Sequence, residues 1–128
     1  MILLTKEEIV RIHEKLIDRT GGTHGLRDEG LLESAVFSAE GGFENIEVYP
    51  TVEEKAARLC FSLINDHAFL DGNKRIGVLV MLMTLRLNGI SLRYTQQELI
   101  RLGLCAASGE AGYEDIHGWI AAHTVQKP

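Results

Sequence analysis

His67-Ala68-Phe69-Leu70-Asp71-Gly72-Asn73-Lys74-Arg75 runs straight into Ile76-Gly77-Val78-Leu79-Val80-Met81-Leu82-Met83, and the junction of these two stretches decides the fold. The second stretch is apolar on every side at helical spacing, which marks a helix buried by its neighbours. It predicts a central helix over about 73–88, ended by Gly89. The first stretch packs a histidine, a carboxylate, a glycine, an asparagine and two cations into nine residues. Burying so many polar groups between apolar helices is unfavourable unless they have partners or a chemical role.

Working outward, Thr-x-x-Glu occurs at Thr5/Glu8, Thr51/Glu54 and Thr95/Glu98. In this pattern the threonine oxygen accepts a free N-terminal amide and the glutamate bonds back, which starts a helix. The first box opens a helix to about Asp18, carrying Ile9, Ile12, Leu16 and Ile17 and stopped by Gly21-Gly22. A second helix is expected from about Arg27 to Ala39, stopped by Gly41-Gly42. Phe43 to Pro50 reads as irregular, a short hairpin or flap. The second box opens a helix to about Asn65, and the third opens one from Thr95 to about Ala107. A last helix, about Tyr113 to Thr124, turns Ile116, Trp119 and Ile120 inward. The expected architecture is all-α: a single domain spanning 1–128, with six helices of which the one over about 73–88 is central and buried.

The bulk properties narrow the function classes. A formal charge of −5 argues against general nucleic-acid binding by this chain, which wants a basic surface. The longest apolar run, Ile76 to Leu85, is far short of the roughly 20 residues a membrane span needs. No signal-peptide pattern is present, and Cys60 and Cys105 match no metal or redox motif. Both read as buried thiols in a reducing compartment, and the expectation is a soluble, cytoplasmic protein.

The chemistry concentrates at the junction. Gly72 permits a tight turn, and Asn73, Lys74 and Arg75 follow in the first turn of the central helix. Free amides and the helix dipole already favour an anion there. Two cations oppose that dipole unless a phosphate group occupies the site and offsets both. Asp71 beside phosphates suits Mg²⁺, which takes one or two carboxylates together with phosphate oxygens. An imidazole at His67 is suited to accept a hydroxyl proton. The residues by themselves describe a phosphate site with a base.

This stretch resembles the Fic motif, His-Pro-Phe-x-Asp/Glu-Gly-Asn-Gly-Arg-x-x-Arg, and more closely its variant in death-on-curing (Doc) toxins, where lysine replaces the second glycine. Chain length, helical layout and Arg19-Thr20-Gly21-Gly22 are similar too. The resemblance implies a Fic/Doc fold, His67 as general base and Asp71 as Mg²⁺ ligand. It implies Gly72, Asn73, Lys74 and Arg75 as the phosphate-binding turn, with Arg19 as a further basic contact and Lys74 and Arg75 in the catalytic set. Three departures from the general Fic pattern stand out. Ala68 replaces proline, Val78 replaces the second arginine, and Lys74 replaces a glycine whose bareness leaves room for phosphates.

In the Doc-like group the nucleotide lies reversed, so the resemblance implies ATP-dependent phosphorylation of a threonine of elongation factor Tu. It also implies a type II toxin–antitoxin system. No inhibitory Ser/Thr-x-x-x-Glu-Gly/Asn motif is found here, so control falls to a separate antitoxin whose disordered tail folds into a groove beside the site. Two other readings stay open: AMP transfer as in other Fic proteins, and a non-catalytic module that binds a translation factor.

Overall fold

The computed structural model describes residues 1–43 and 46–125. Six helices follow in order: α1 (Lys6–Thr20), α2 (Glu29–Glu40), α3 (Val52–Asp66), α4 (Asn73–Leu87), α5 (Gln96–Ser108) and α6 (Tyr113–His123). All three capping boxes form, with Thr5, Thr51 and Thr95 each accepting the amide three residues on while the glutamate bonds back. Asp28 caps α2 through the Leu31 amide, so that helix begins two residues later than its sequence pattern suggested. The expected hairpin over 43–50 includes residues 44 and 45, which lie outside the described residues. On either side of them β1 (Gly42–Phe43) and β2 (Ile46–Glu47) pair antiparallel, Gly42 opposite Glu47 and Phe43 opposite Ile46.

α3 and α4 form the central pair. On one side Ile9, Leu32, Leu63, Phe69, Ile76 and Val80 join α1, α2, α3, the junction loop and α4 in one apolar cluster. On the other, Ala57, Cys60, Met81, Leu102, Ile116 and Ile120 join α3 and α4 to α5 and α6. Ile9, Leu63, Ile76, Met81 and Ile120 are wholly buried. α4 is central as its sequence indicates, but one stripe of it (Leu79, Leu82, Met83) is only half covered and lines surface grooves. Cys60 is enclosed, and burial pushes its thiol up to about 12. Cys105, expected to be buried, is instead partly exposed, with its thiol 3.8 Å from Glu110. Trp119 likewise sits half-buried at the edge of the second cluster, stacked on His123 with ring centres 4.1 Å apart. Among the described residues, no helix is long and apolar enough to cross a membrane.

Close packing of the central pair depends on Gly77. A Cβ there would stand 2.6 Å from Ile64 Cγ1 and 3.1 Å from the Cys60 carbonyl. Gly77→Ala gains roughly 1 kcal/mol of helix propensity, yet overpacking a well-filled core costs roughly 1–3 kcal/mol. The expected net effect is destabilisation, read as a lower urea midpoint; an unchanged or raised midpoint would show that the α3–α4 seam has slack.

The C-terminal end of the fold is held by an ion pair. His123 Nε2–H donates to Glu98 at 2.7 Å while Nδ1–H donates to the Trp119 carbonyl at 2.7 Å, so both ring nitrogens face acceptors. The Glu98 carboxylate and then that carbonyl raise the His123 pKa above 6.5, while His123 first and the Thr95 groups next lower Glu98 from 4.5 to about 2. Glu98's contribution is complete above 4.5 and fades as pH falls through about 2. That of His123 is complete below 6.5 and fades as pH rises through its raised folded value. His123→Gln should therefore lower the thermal midpoint most near about pH 5.5 and least near about pH 9; an equal deficit at both would mean the ring acts by packing alone.

Candidate active site

The loop between α3 and α4 turns Ala68 and Phe69 in and leaves His67, Leu70 and Asp71 on the outer side. Ala68 and Phe69 are buried, and Phe69 lies under the His13 ring with centres 3.9 Å apart. Asn73 holds this arrangement. Its Oδ1 accepts from the Phe69 amide at 3.0 Å and its Nδ2 donates to the Phe69 carbonyl at 3.0 Å. His13 Nε2–H donates to the Asp71 carbonyl at 2.8 Å, and burial lowers the pKa of that ring. A second loop embraces the first: the Leu70 amide donates to the Gly25 carbonyl at 3.0 Å, and Leu26 pairs antiparallel with Phe69.

With the loop fixed, His67, Leu70, Asp71, Gly72, Lys74 and Arg75 line one cavity of about 370 Å³. His67 is exposed and caps α3 in the left-handed region, φ 53° and ψ 49°. For a residue with a side chain that conformation is strained by roughly 1–2 kcal/mol. Gly72 precedes α4 with no side-chain cap on the helix, so the first-turn amides keep their capacity for an anion. Lys74 is exposed and makes no ion pair among the described residues.

Asp71 is held by backbone. Its Oδ2 accepts from the Thr23 amide at 3.0 Å and its Oδ1 from the Gly72 amide at 2.8 Å, with Arg75 Nη2 3.6 Å away. These amides, Thr23 first, lower its pKa, and its side chain stays 44% exposed to the cavity. The approach of the second loop requires Gly22: at φ +117° a Cβ there would lie 2.5 Å from Asp71 Oδ2. Among the described residues no cluster of three or more metal-binding side chains exists. One ionised, half-exposed carboxylate facing a cavity beside the uncapped start of α4 fits Mg²⁺, which takes one or two carboxylates and completes its shell with phosphate oxygens and water.

The residues singled out by sequence divide into three groups. His67, Asp71 and Lys74 bring functional atoms to the cavity together, with the amides that follow Gly72. Two others are engaged elsewhere. The Asn73 side chain is taken up by Phe69, so only its backbone amide is left to meet a phosphate. Arg75 Nη1 donates to Thr20 Oγ1 at 2.6 Å and to the Gly21 carbonyl at 2.8 Å, tying the end of α1 to the start of α4. Arg19 stands apart: it is exposed in the last turn of α1, makes no hydrogen bond or ion pair with the motif among the described residues and lines neither cavity that Arg75 lines. No role at the site was legible in the sequence for His13, Thr20, Gly22, Thr23 or Arg27. Gly21-Gly22 was readable as a helix stop; paired glycines also permit a close backbone approach, which is their second use here.

A family model described as the Fic/DOC family matches residues 3–85, well over half of the 128-residue chain. The chain belongs to the Fic/DOC family. It is 39% identical over 72 residues to Toxin Doc of Mycolicibacterium smegmatis, covering 56% of this chain and 55% of that protein. It is 29% identical over 113 residues to Protein kinase doc of Escherichia phage P1, covering 88% of each. The match thus spans about half the length of the first relative and most of the second.

The clamp on Phe69 is directly testable. Asn73 is 8% exposed, so Asn73→Ala leaves a buried amide and a buried carbonyl without partners. Roughly 2–4 kcal/mol of stability should be lost, measured by chemical denaturation; a loss below about 1 kcal/mol would show that water or a shifted loop satisfies both groups.

Proposed function

We propose that this chain is the toxin of a type II toxin–antitoxin pair and that it transfers the γ-phosphate of ATP to a threonine hydroxyl of elongation factor Tu. The observation that carries this reading is the convergence of His67, Asp71, Lys74 and the uncapped start of α4 on one cavity. The name of the phage relative supports phosphoryl transfer over AMP transfer. Val78 supports it too, since it is buried and offers no cation where nucleotidyl-transferring members place a second arginine.

Phosphoryl transfer asks mainly for positioning and charge neutralisation. The α4 amides and the Lys74 ammonium meet the phosphate oxygens, and Arg75 keeps Asp71 and the end of α1 in register. Asp71 would hold Mg²⁺, which when bound neutralises phosphate charge. His67 accepts the proton of the acceptor hydroxyl as its oxygen bonds to the γ-phosphorus. The bond from that phosphorus to the bridging oxygen breaks, and ADP leaves with the electron pair.

A neighbouring groove of about 320 Å³ supports the antitoxin half of the proposal. Leu16, Leu79, Leu82, Leu99 and Leu104 line it, and Lys74 and Arg75 border both it and the active-site cavity. Such a trough suits an amphipathic segment that folds on binding.

Purified elongation factor Tu should take up label from γ-labelled ATP and none from α-labelled ATP, with transfer dependent on Mg²⁺. His67→Ala should lower the rate at least about 100-fold, and Lys74→Gly should weaken γ-transfer. Label from the α-phosphate would replace this reading with AMP transfer. Full toxicity of His67→Ala and Asp71→Ala in cells would replace it with sequestration of a translation factor.

A further inference from the structure

His67 is the one non-glycine residue at positive φ among the described residues, and such a conformation persists only where surrounding contacts hold it. One residue forty positions earlier supplies them. Arg27 Nε donates to the His67 carbonyl at 2.6 Å and Nη2 donates to the Asp66 carbonyl at 3.3 Å. The backbone amides of Arg27 and Asp28 both donate to the Ala68 carbonyl, at 2.7 and 3.0 Å. Three successive carbonyls at the end of α3 are thereby bound. A guanidinium fork is well suited to such a place, because it spans two acceptors in fixed geometry and sets positive charge at a helix C-terminus.

We propose that Arg27 is a positioning residue for the reaction: its fork keeps the His67 backbone in the left-handed well and so aims the imidazole at the acceptor hydroxyl. This rests on the phosphotransfer reading given above. The bonds are arranged so that the clamp governs the base and not the fold. The inner side of the loop is anchored independently by Asn73 on Phe69 and by the Gly25 carbonyl on the Leu70 amide. Arg27 and His67 are both exposed, so water replaces the lost bonds when the guanidinium is removed, and the chain keeps its core. What is lost is the one conformation of His67.

The test uses the full chain carrying Arg27→Ala or Arg27→Lys, with kcat and KM for ATP measured on elongation factor Tu. Side-chain NMR of the histidines accompanies it, with His67 assigned by His67→Asn. A displaced catalytic group lowers the rate by up to about 100-fold, so Arg27→Ala should lose about 10- to 100-fold in kcat with KM for ATP changed by less than about twofold. Arg27→Lys, which retains one donor, should recover part of the loss. The His67 ring signal should shift and broaden in Arg27→Ala while the other histidines stay unchanged. A wild-type kcat in Arg27→Ala overturns the proposal, as does a loss that appears equally in KM or follows a fall in thermal midpoint. If the wild-type chain transfers no phosphate, the phosphotransfer reading falls, and the ring signals decide the clamp alone: an unchanged His67 signal in Arg27→Ala overturns it.

Discussion

The side chain of Asn73 sits between the amide and the carbonyl of Phe69, and much of the molecule follows from those two hydrogen bonds. A six-residue connection between two apolar helices has backbone groups that water cannot reach. Asn73, the first residue of α4, supplies one acceptor and one donor to the innermost of them. With Ala68 and Phe69 thus turned into the core, the flanking His67, Leu70 and Asp71 are left to line the cavity. The polarity of the motif and the burial of its neighbours are one arrangement: the side that packs determines the side that reacts.

Charge is divided in a similar way. The start of α4 carries two cations and no acidic residue, an unfavourable pairing with its dipole. Arg75 resolves its half by turning to the carbonyl end of α1 and to Asp71. Lys74 has no such outlet among the described residues and faces the cavity. Of two adjacent cations, one is tied to the neighbouring backbone and one is left facing the cavity, a distinction that follows from which helix end lies nearby.

Local signals carried most of the fold. Three capping boxes, the glycine stops and the apolar run after Arg75 placed all six helices to within about two residues, because each signal acts over one turn of chain. The motif itself was equally visible, since its residues are contiguous. Contacts across long separations were not. Nothing near Arg27 announces that it binds carbonyls at Asp66 and His67, and nothing near Gly22 announces Asp71. Asn73 reads as a phosphate ligand until its partners are known. The half-covered stripe of α4 has the same cause: an all-round apolar pattern reports hydrophobicity, while neighbouring helices decide which side is covered. Cys105 misled for that reason as well.

The second loop, residues 21–28, has a bearing on how the protein reaches and leaves its working state. The α3–α4 hairpin closes over a few residues, whereas the contacts of this loop span 39 to 54 positions and lie mostly in exposed backbone. Contacts of that range form after local ones, since the intervening chain must first be ordered. They also belong to the class that opens without global unfolding. A single excursion of this segment would release Asp71, Arg75 and the His67 backbone together, withdrawing Leu26 from the edge of the first apolar cluster while the rest of both clusters stays packed. Amide exchange at Thr23 and Arg27 therefore reports the lifetime of the assembled site separately from the stability of the domain that bears it.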